Sequence, residues 1–212
     1  MQIRGVHYDV GTAFVPGELS RQLWKTADAV RDLRVIRQEL HATHVNVYGS
    51  DIARLEEAGA IALDEGLAVV LQPRLIDGDR RQMLEFLAQG ADAAERLRAR
   101  GPVLLNTGCE LTVFTAGFIP GRTFLARVRK LMWMWPLLPW FSARLNRHLV
   151  DVARVARERF RGPILYSAGS WETVRWDLFD FVGMNLYRDR WNERTYVADL
   201  RRLGTHGKPV LI

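Results

Sequence analysis

Cys109 is the only cysteine in the chain, so no disulfide can form within it and thiol usage does not fix its compartment. Lysine is almost as scarce: Lys25, Lys130 and Lys208 are the only ones, and arginine carries nearly all of the formal +6 charge. No apolar run reaches the roughly 18 residues that a membrane span requires. Met1–Gly5 lacks the basic-then-apolar pattern of a secretion signal, which makes a cytoplasmic location the expectation. There is no glycine-rich dinucleotide or phosphate loop and no Gly-x-Ser-x-Gly elbow. His41 and His44 straddle a helix-to-strand junction, a poor spacing for zinc. Neither a metal nor a cofactor is expected. The arginines are interleaved with acids, as in Arg31-Asp32-Leu33-Arg34, which is the pattern of a solvated helix face; no nucleic-acid partner is expected either.

What the chain does contain is a series. Its 212 residues, 48% of them hydrophobic, suffice for a single domain spanning 1–212. Short β-branched or aromatic runs recur at Ile3–Asp9, His44–Tyr48, Leu67–Leu75, Val103–Glu110, Ile164–Ser167 and Phe181–Tyr187, and Pro209–Ile212 starts another. Helical periodicity fills the intervals Leu19–Leu40, Asp51–Glu65, Asp79–Arg100 and Leu145–Phe160. Alternating strands and helices predict right-handed βαβ units and a parallel sheet. About seven strands without a dinucleotide loop predict an α/β fold of the (β/α)8 barrel type that is incomplete, its last βα units absent.

Such barrels collect strand ends at one mouth, where their chemistry lies. Glu110 closes the fourth apolar run, where burial raises a carboxylate pKa and suits it to general acid work; capping of the next segment or pairing with an arginine is the alternative. Asn185 and Tyr187, two apart, share one side of a strand. Asp9, Asn46, Tyr48, Arg74, Asn106, Trp171 and Glu172 stand at or just after other strand ends. Polar groups beside aromatic planes suit sugar rings, whose hydroxyls take hydrogen bonds and whose C–H faces stack. Cys109 reads as a buried structural thiol. Leu131–Phe141, eleven apolar residues including two prolines, follows Arg122, Arg127, Arg129 and Lys130. It is open to several uses: an aromatic wall over the mouth, a subunit contact, an interfacial membrane foot, or a loop on the barrel's own helices.

Asn106–Glu110, Asn185–Tyr187 and Gly207–Ile212 together resemble the clan of TIM-barrel retaining glycoside hydrolases, and Phe179–Tyr187 is similar to the lead-in to the sixth strand in its mannanase-like branches. The resemblance extends to bacterial hydrolase-like barrels, some labelled abortive-infection or phage-resistance proteins. It implies Glu110 as acid/base, Tyr187 as the residue holding the nucleophile, and a nucleophile glutamate just after Ile212. Two departures stand out. Cys109 precedes the glutamate where the clan has asparagine, with Asn106 four positions earlier, and the chain stops about where the nucleophile should follow. The expectation is a glycoside hydrolase-like protein acting on or binding a β-linked glycan and itself inactive, or a non-catalytic carbohydrate-binding or phage-defence protein. Open barrel edges, like Trp133–Phe141, offer routes to self-association.

Overall fold

The computed structural model describes residues 3–15, 17–190 and 192–212; Met1 and Gln2, part of the N-terminal stretch read above, lie outside them. Seven strands run side by side in chain order: β1 (Gly5–Asp9), β2 (His44–Gly49), β3 (Ala68–Pro73), β4 (Val103–Cys109), β5 (Ile164–Gly169), β6 (Val182–Asn185) and β7 (Val210–Leu211). Every pairing is parallel. The sheet is an incomplete (β/α)8 barrel, with β1 and β7 as its edges. Val45, Val47, Val69, Leu71, Leu105, Ile164 and Tyr166 face the helix layer, while Val70, Leu104 and Leu165 form a separate inner cluster. Because both faces are covered, the strands read as near-continuous apolar runs.

The helices are α1 (Thr26–Gln38), α2 (Ile52–Asp64), α3 (Arg80–Arg98), α4 (Leu111–Phe114), α5 (Phe124–Leu131), α6 (Leu138–Arg159) and α7 (Tyr196–Gly204). The α3 face Met83, Leu87, Ala91, Ala94 and Leu97 is buried as its periodicity predicts. Asp79 starts that helix with a capping box: Gln82 N donates to Asp79 Oδ1 at 2.9 Å, and Asp79 N donates to Gln82 Oε1 at 2.9 Å. Asp51 caps α2 by accepting from Arg54 N at 3.1 Å.

Several expected bounds are corrected. The first helix begins at Thr26 rather than Leu19, because residues before it are drawn into the β1–α1 loop, where Ser20 Oγ donates to Asp9 and Thr12 N donates to Ser20 Oγ. Leu23 and Leu40 thus fall outside the helix and are exposed. The fourth predicted helix begins at Leu138 instead of Leu145; Pro139 fits its first turn, where no N–H acceptor is needed. Phe181–Tyr187 contracts to Val182–Asn185, and Leu67–Leu75 to Ala68–Pro73. The short α4, α5 and α7 were not expected, nor was the 3-10 turn Trp135–Leu137. No helix among the described residues is long and apolar enough to cross a membrane.

Two buried charged side chains tie the excursion after β4 to the barrel. Arg127 is 0% exposed. It donates to the carbonyls of Val113 at 2.6 Å, Gly121 at 3.1 Å and Phe114 at 3.1 Å, and pairs with Asp77. One of the four basic residues that precede Leu131 is therefore an internal staple. Glu172, 6% exposed, joins the β5 exit to α4. Thr112 N donates to Oε1 at 3.0 Å and Thr112 Oγ1 at 2.5 Å, while Tyr166 OH and Gly169 N donate to Oε2 at 2.8 and 3.1 Å. Burial outweighs these donors and lifts the carboxyl to about 7.

Arg127→Met strands Asp77 and three carbonyls, and we expect it to lower the unfolding free energy by about 3–5 kcal/mol in urea titration; a change under about 1 kcal/mol would remove its role as staple. For Glu172 the folded pKa lies above the unfolded one, so the folded state holds the extra proton between the two and stability falls as pH rises through that window. Relative to Glu172→Gln, the wild type should lose roughly 3 kcal/mol between pH of about 4.5 and about 7. Parallel stability curves for the two proteins would contradict this.

Candidate active site

A regular strand sends consecutive side chains to opposite faces. The end of β4 breaks that rule. Its register against β5 shifts between Asn106 and Cys109: Asn106 pairs with Leu165 and Cys109 with Ser167, so β4 carries one extra residue. Glu110 follows at φ 43°, in the left-handed region that side chains rarely enter. Its N–H donates to Ser167 O at 2.9 Å, and its carbonyl accepts the first bonds of α4 from Val113 at 2.9 Å and Phe114 at 3.1 Å. The Glu110 carboxylate does not cap that helix. Instead Asn185 Nδ2, at the end of β6, donates to Glu110 Oε1 at 2.8 Å and to Cys109 Sγ at 3.2 Å. The bulge and the left-handed turn bring two consecutive residues to one amide.

Arg74, just past β3, is the cation of this group. Its guanidinium lies 4.2 Å from the centroid of the Tyr48 ring and 5.7 Å from that of Phe114. Arg74 Nε is buried without a hydrogen-bond partner. Its charge reaches Glu110, Cys109, His7 and Tyr48. Burial raises the Glu110 carboxyl above its ordinary value, and the Asn185 hydrogen bond and the Arg74 charge oppose that rise. Burial likewise pushes the Cys109 thiol up to about 11, so it is a proton-bearing, inert group at neutral pH.

Deeper in, Asn46 Nδ2 lies 2.8 Å from His7 Nδ1 and donates to Gln72 Oε1 at 2.8 Å, leaving Asn46 Oδ1 buried without a partner. The His7 ring meets Tyr48 edge-on at 5.9 Å, and loss of hydration followed by the Arg74 charge lowers its imidazole pKa. Burial, then the Asp9 carboxylate, raises the Tyr48 phenol. His7, Asn46, Asn106, Ser167 and Asn185 line a cavity of about 580 Å³ inside the sheet, above Val70 and Leu165.

The structure thus groups Glu110, Asn185, Arg74, Tyr48 and Asn46 with His7 and Gln72, polar residues that the sequence also places at the ends of the first and third strands, and it adds Ser167 at the end of β5. Other expected residues fall elsewhere. Asn106 lines the same cavity but deeper, buried and donating to Ser167 Oγ at 2.7 Å. Asp9 is held by its own loop, accepting from Gly11 N at 2.8 Å, Thr12 Oγ1 at 3.2 Å and Ser20 Oγ at 2.5 Å, while its carboxylate also stands against the Tyr48 hydroxyl. Tyr187 lies two residues beyond β6 and is 78% exposed, close enough to Tyr48 to add to the rise of its phenol pKa; it stands at the rim and not beside Glu110 as a strand residue would. Trp171 folds over Gly169, where an added Cβ would meet its ring at 2.6 Å, and gives its indole N–H to Thr112 Oγ1 at 3.0 Å. Glu172, expected to touch substrate, is the internal tie described above, because its side chain turns under α4.

No family model matches the chain, and no curated protein matches it. Solved structures do. A complex of a GH113 β-1,4-mannanase superposes with a TM-score of 0.62 at 13% identity, over 99% of this chain and 71% of that one. AaManA, the GH113 β-mannanase of Alicyclobacillus acidocaldarius in complex with ManMIm, does so with a TM-score of 0.60 at 17% identity, over 98% and 68%. Another GH113 β-1,4-mannanase structure gives 0.63 at 13% identity, over 99% and 70%. At these identities the likeness is one of fold: the seven-stranded incomplete barrel is built as the barrels of these β-mannanases are.

Proposed function

We propose that this protein is a glycoside hydrolase-like barrel directed at a β-linked glycan, with Glu110 as its general acid/base. The observation that carries the reading is the placement of Glu110 at the end of β4. It is desolvated toward the protonated form, held by Asn185 across the mouth, and close to the charge of Arg74, which lies over the Tyr48 ring. A carboxyl that holds its proton longer than usual suits proton donation to a glycosidic oxygen. The Tyr48 ring and the amides of Asn46 and Asn185 supply the stacking face and the hydrogen-bonding groups that a sugar needs. Because the proteins that share this fold are named β-mannanases, β-1,4-mannan is the first glycan to test.

Retaining hydrolysis needs a second carboxyl about 5–5.5 Å from the first. The other carboxylates named around the mouth are committed: Asp9 to Gly11, Thr12 and Ser20, and Glu172 to Thr112, Tyr166 and Gly169. The nucleophile that the resemblance puts beyond Ile212 is not among these residues. The commitment of Asp9 and Glu172 to partners within the fold supports a second reading, a carbohydrate-binding barrel that performs no hydrolysis.

Residues 1–212 should therefore bind β-1,4-manno-oligosaccharides in calorimetry and release no chromophore from aryl β-mannosides. Tyr48→Ala should weaken that binding by about tenfold. Turnover abolished by Glu110→Gln would refute the inactive state, and no binding of any β-linked oligosaccharide would sink the glycan reading. Under the acid/base reading Asn185→Ala, which removes a donor to the charged form, moves the Glu110 pKa further upward in an NMR carboxyl titration. An unchanged or lowered pKa means that Asn185 does not tune the acid. The binding-only reading instead expects glycan affinity to survive Glu110→Gln unchanged at every pH.

A further inference from the structure

The excursion between β4 and α6 is apolar on two sides. Inward, Phe124, Val128, Leu131, Met134, Leu138 and Phe141 pack with Ile76, Cys109, Val113, Phe114 and Ile119. Outward, Trp133 is 88% exposed and Trp135 65%, and Leu125, Met132, Leu137 and Trp140 are exposed beside them. The inner face satisfies the demands of folding; the outer one is covered by none of the described residues. Single exposed apolar residues need no explanation, but three tryptophans, a methionine and two leucines within one short segment do.

Charge decides what covers it. From Leu111 to Val150 the chain has no aspartate or glutamate, while Arg122, Arg129 and Lys130 are exposed alongside the tryptophans. Elsewhere many surface arginines are neutralised within the fold, Arg96 by Glu56, Arg98 by Glu95, Arg159 by Asp92 and Arg154 by Glu158, while others such as Arg161 and Arg201 stand outside any ion pair among the described residues but have no exposed tryptophans beside them. Among the described residues no ion pair involves Arg122, Arg129 or Lys130, and Arg144 instead stacks on Trp140 at 4.6 Å. A two-fold contact between copies of this patch would set these cations against one another with no acid to relieve them. A neutral glycan would stack on the tryptophans but leave the cations without a purpose. Single-stranded nucleic acid would use both, yet its grooves follow the phosphates with rows of cations, whereas here exposed apolar side chains predominate. Tryptophan, leucine and methionine flanked by basic residues are what the headgroup boundary of an anionic bilayer accepts.

We propose that residues 122–140 form a docking foot for anionic phospholipid membranes. The turn after α5 and the 3-10 turn that follows it insert Trp133 and Trp135 among the headgroups, and Arg122, Arg129 and Lys130 lie against lipid phosphates. The contact is peripheral. It goes beyond the glycan reading and does not depend on it.

Flotation of the whole chain with phosphatidylcholine vesicles, with and without phosphatidylglycerol, tests the foot. Binding is expected only to the anionic vesicles, falling as salt rises, with quenching of tryptophan emission by lipids brominated near the headgroup. Trp133→Ser with Trp135→Ser, and separately Arg129→Glu with Lys130→Glu, should each weaken binding by about tenfold or more. All four positions are exposed, and unchanged circular dichroism and thermal unfolding certify the variants. No binding to anionic vesicles overturns the proposal. So does binding indifferent to the tryptophan pair, which would reflect scattered arginines alone. Two further results count against it: self-association lost in the tryptophan variant without any lipid assigns the patch to a second copy, and competition by single-stranded DNA at equal affinity assigns it to nucleic acid.

Discussion

A parallel strand covered on both faces sends its side chains alternately to the helix layer and to the barrel interior, so neighbours in sequence do not normally share a site. The mouth of this barrel depends on one local escape from that constraint. The extra residue in β4 advances the strand against β5, and Glu110 then turns through φ 43°. A non-glycine residue there costs on the order of 1–2 kcal/mol. The bond from Glu110 N to Ser167 O, the start of α4 on the Glu110 carbonyl, and the Asn185 bridge to Glu110 and Cys109 oppose that cost. Loosening any of these would let the carboxyl fall back into the capping position that its place before a helix otherwise favours.

Two carboxyls near the strand ends have pKa values raised by burial, and they are not equivalent. Glu172 accepts four protein donors and has no open side, so its proton affinity measures how thoroughly α4 covers it. Glu110 has one side-chain donor, a cation nearby in Arg74, and a place at the open mouth. A perturbed pKa alone would rank Glu172 first; geometry reverses the order. Arg74 makes the difference by keeping part of the charged form accessible at Glu110, while the Tyr48 ring on which it lies limits its hydration. The acid/base role proposed for Glu110 requires that balance, and an internal tie does not.

The sequence announced the strands because burial on both faces leaves a dense apolar signature, and α3 because its stripe from Met83 to Leu97 is uninterrupted. Glu110 and Asn185 were legible as strand-end polar residues. The bulge was not, since no residue type marks one inserted position within Val103–Cys109. Tyr187 was misplaced by letting β6 run two residues too far. Glu172 and Arg127 misled for a shared reason: a charge in a loop reads as solvated, and only tertiary contacts show that α4 and Asp77 have closed over it. Helices as short as α4 carry too few turns to show a period at all.

The excursion after β4 also links what is otherwise separate. Its inner apolar face shares a cluster with Cys109, whose thiol is bonded to the same Asn185 that holds Glu110. Arg127, fully buried, locks α5 to the carbonyls at the end of α4 and to Asp77 in the β3–α3 connection. The outward tryptophans are therefore mounted on the same packed unit that borders Glu110, with Arg127 tying α5 to the end of α4 across the loop between them. Whatever surface the patch rests on is presented to the barrel mouth in one orientation, because a cluster this closely packed has few alternative arrangements. If the proposed foot docks, position on the barrel and position on the membrane are fixed together, by one short stretch of chain that is apolar on two faces.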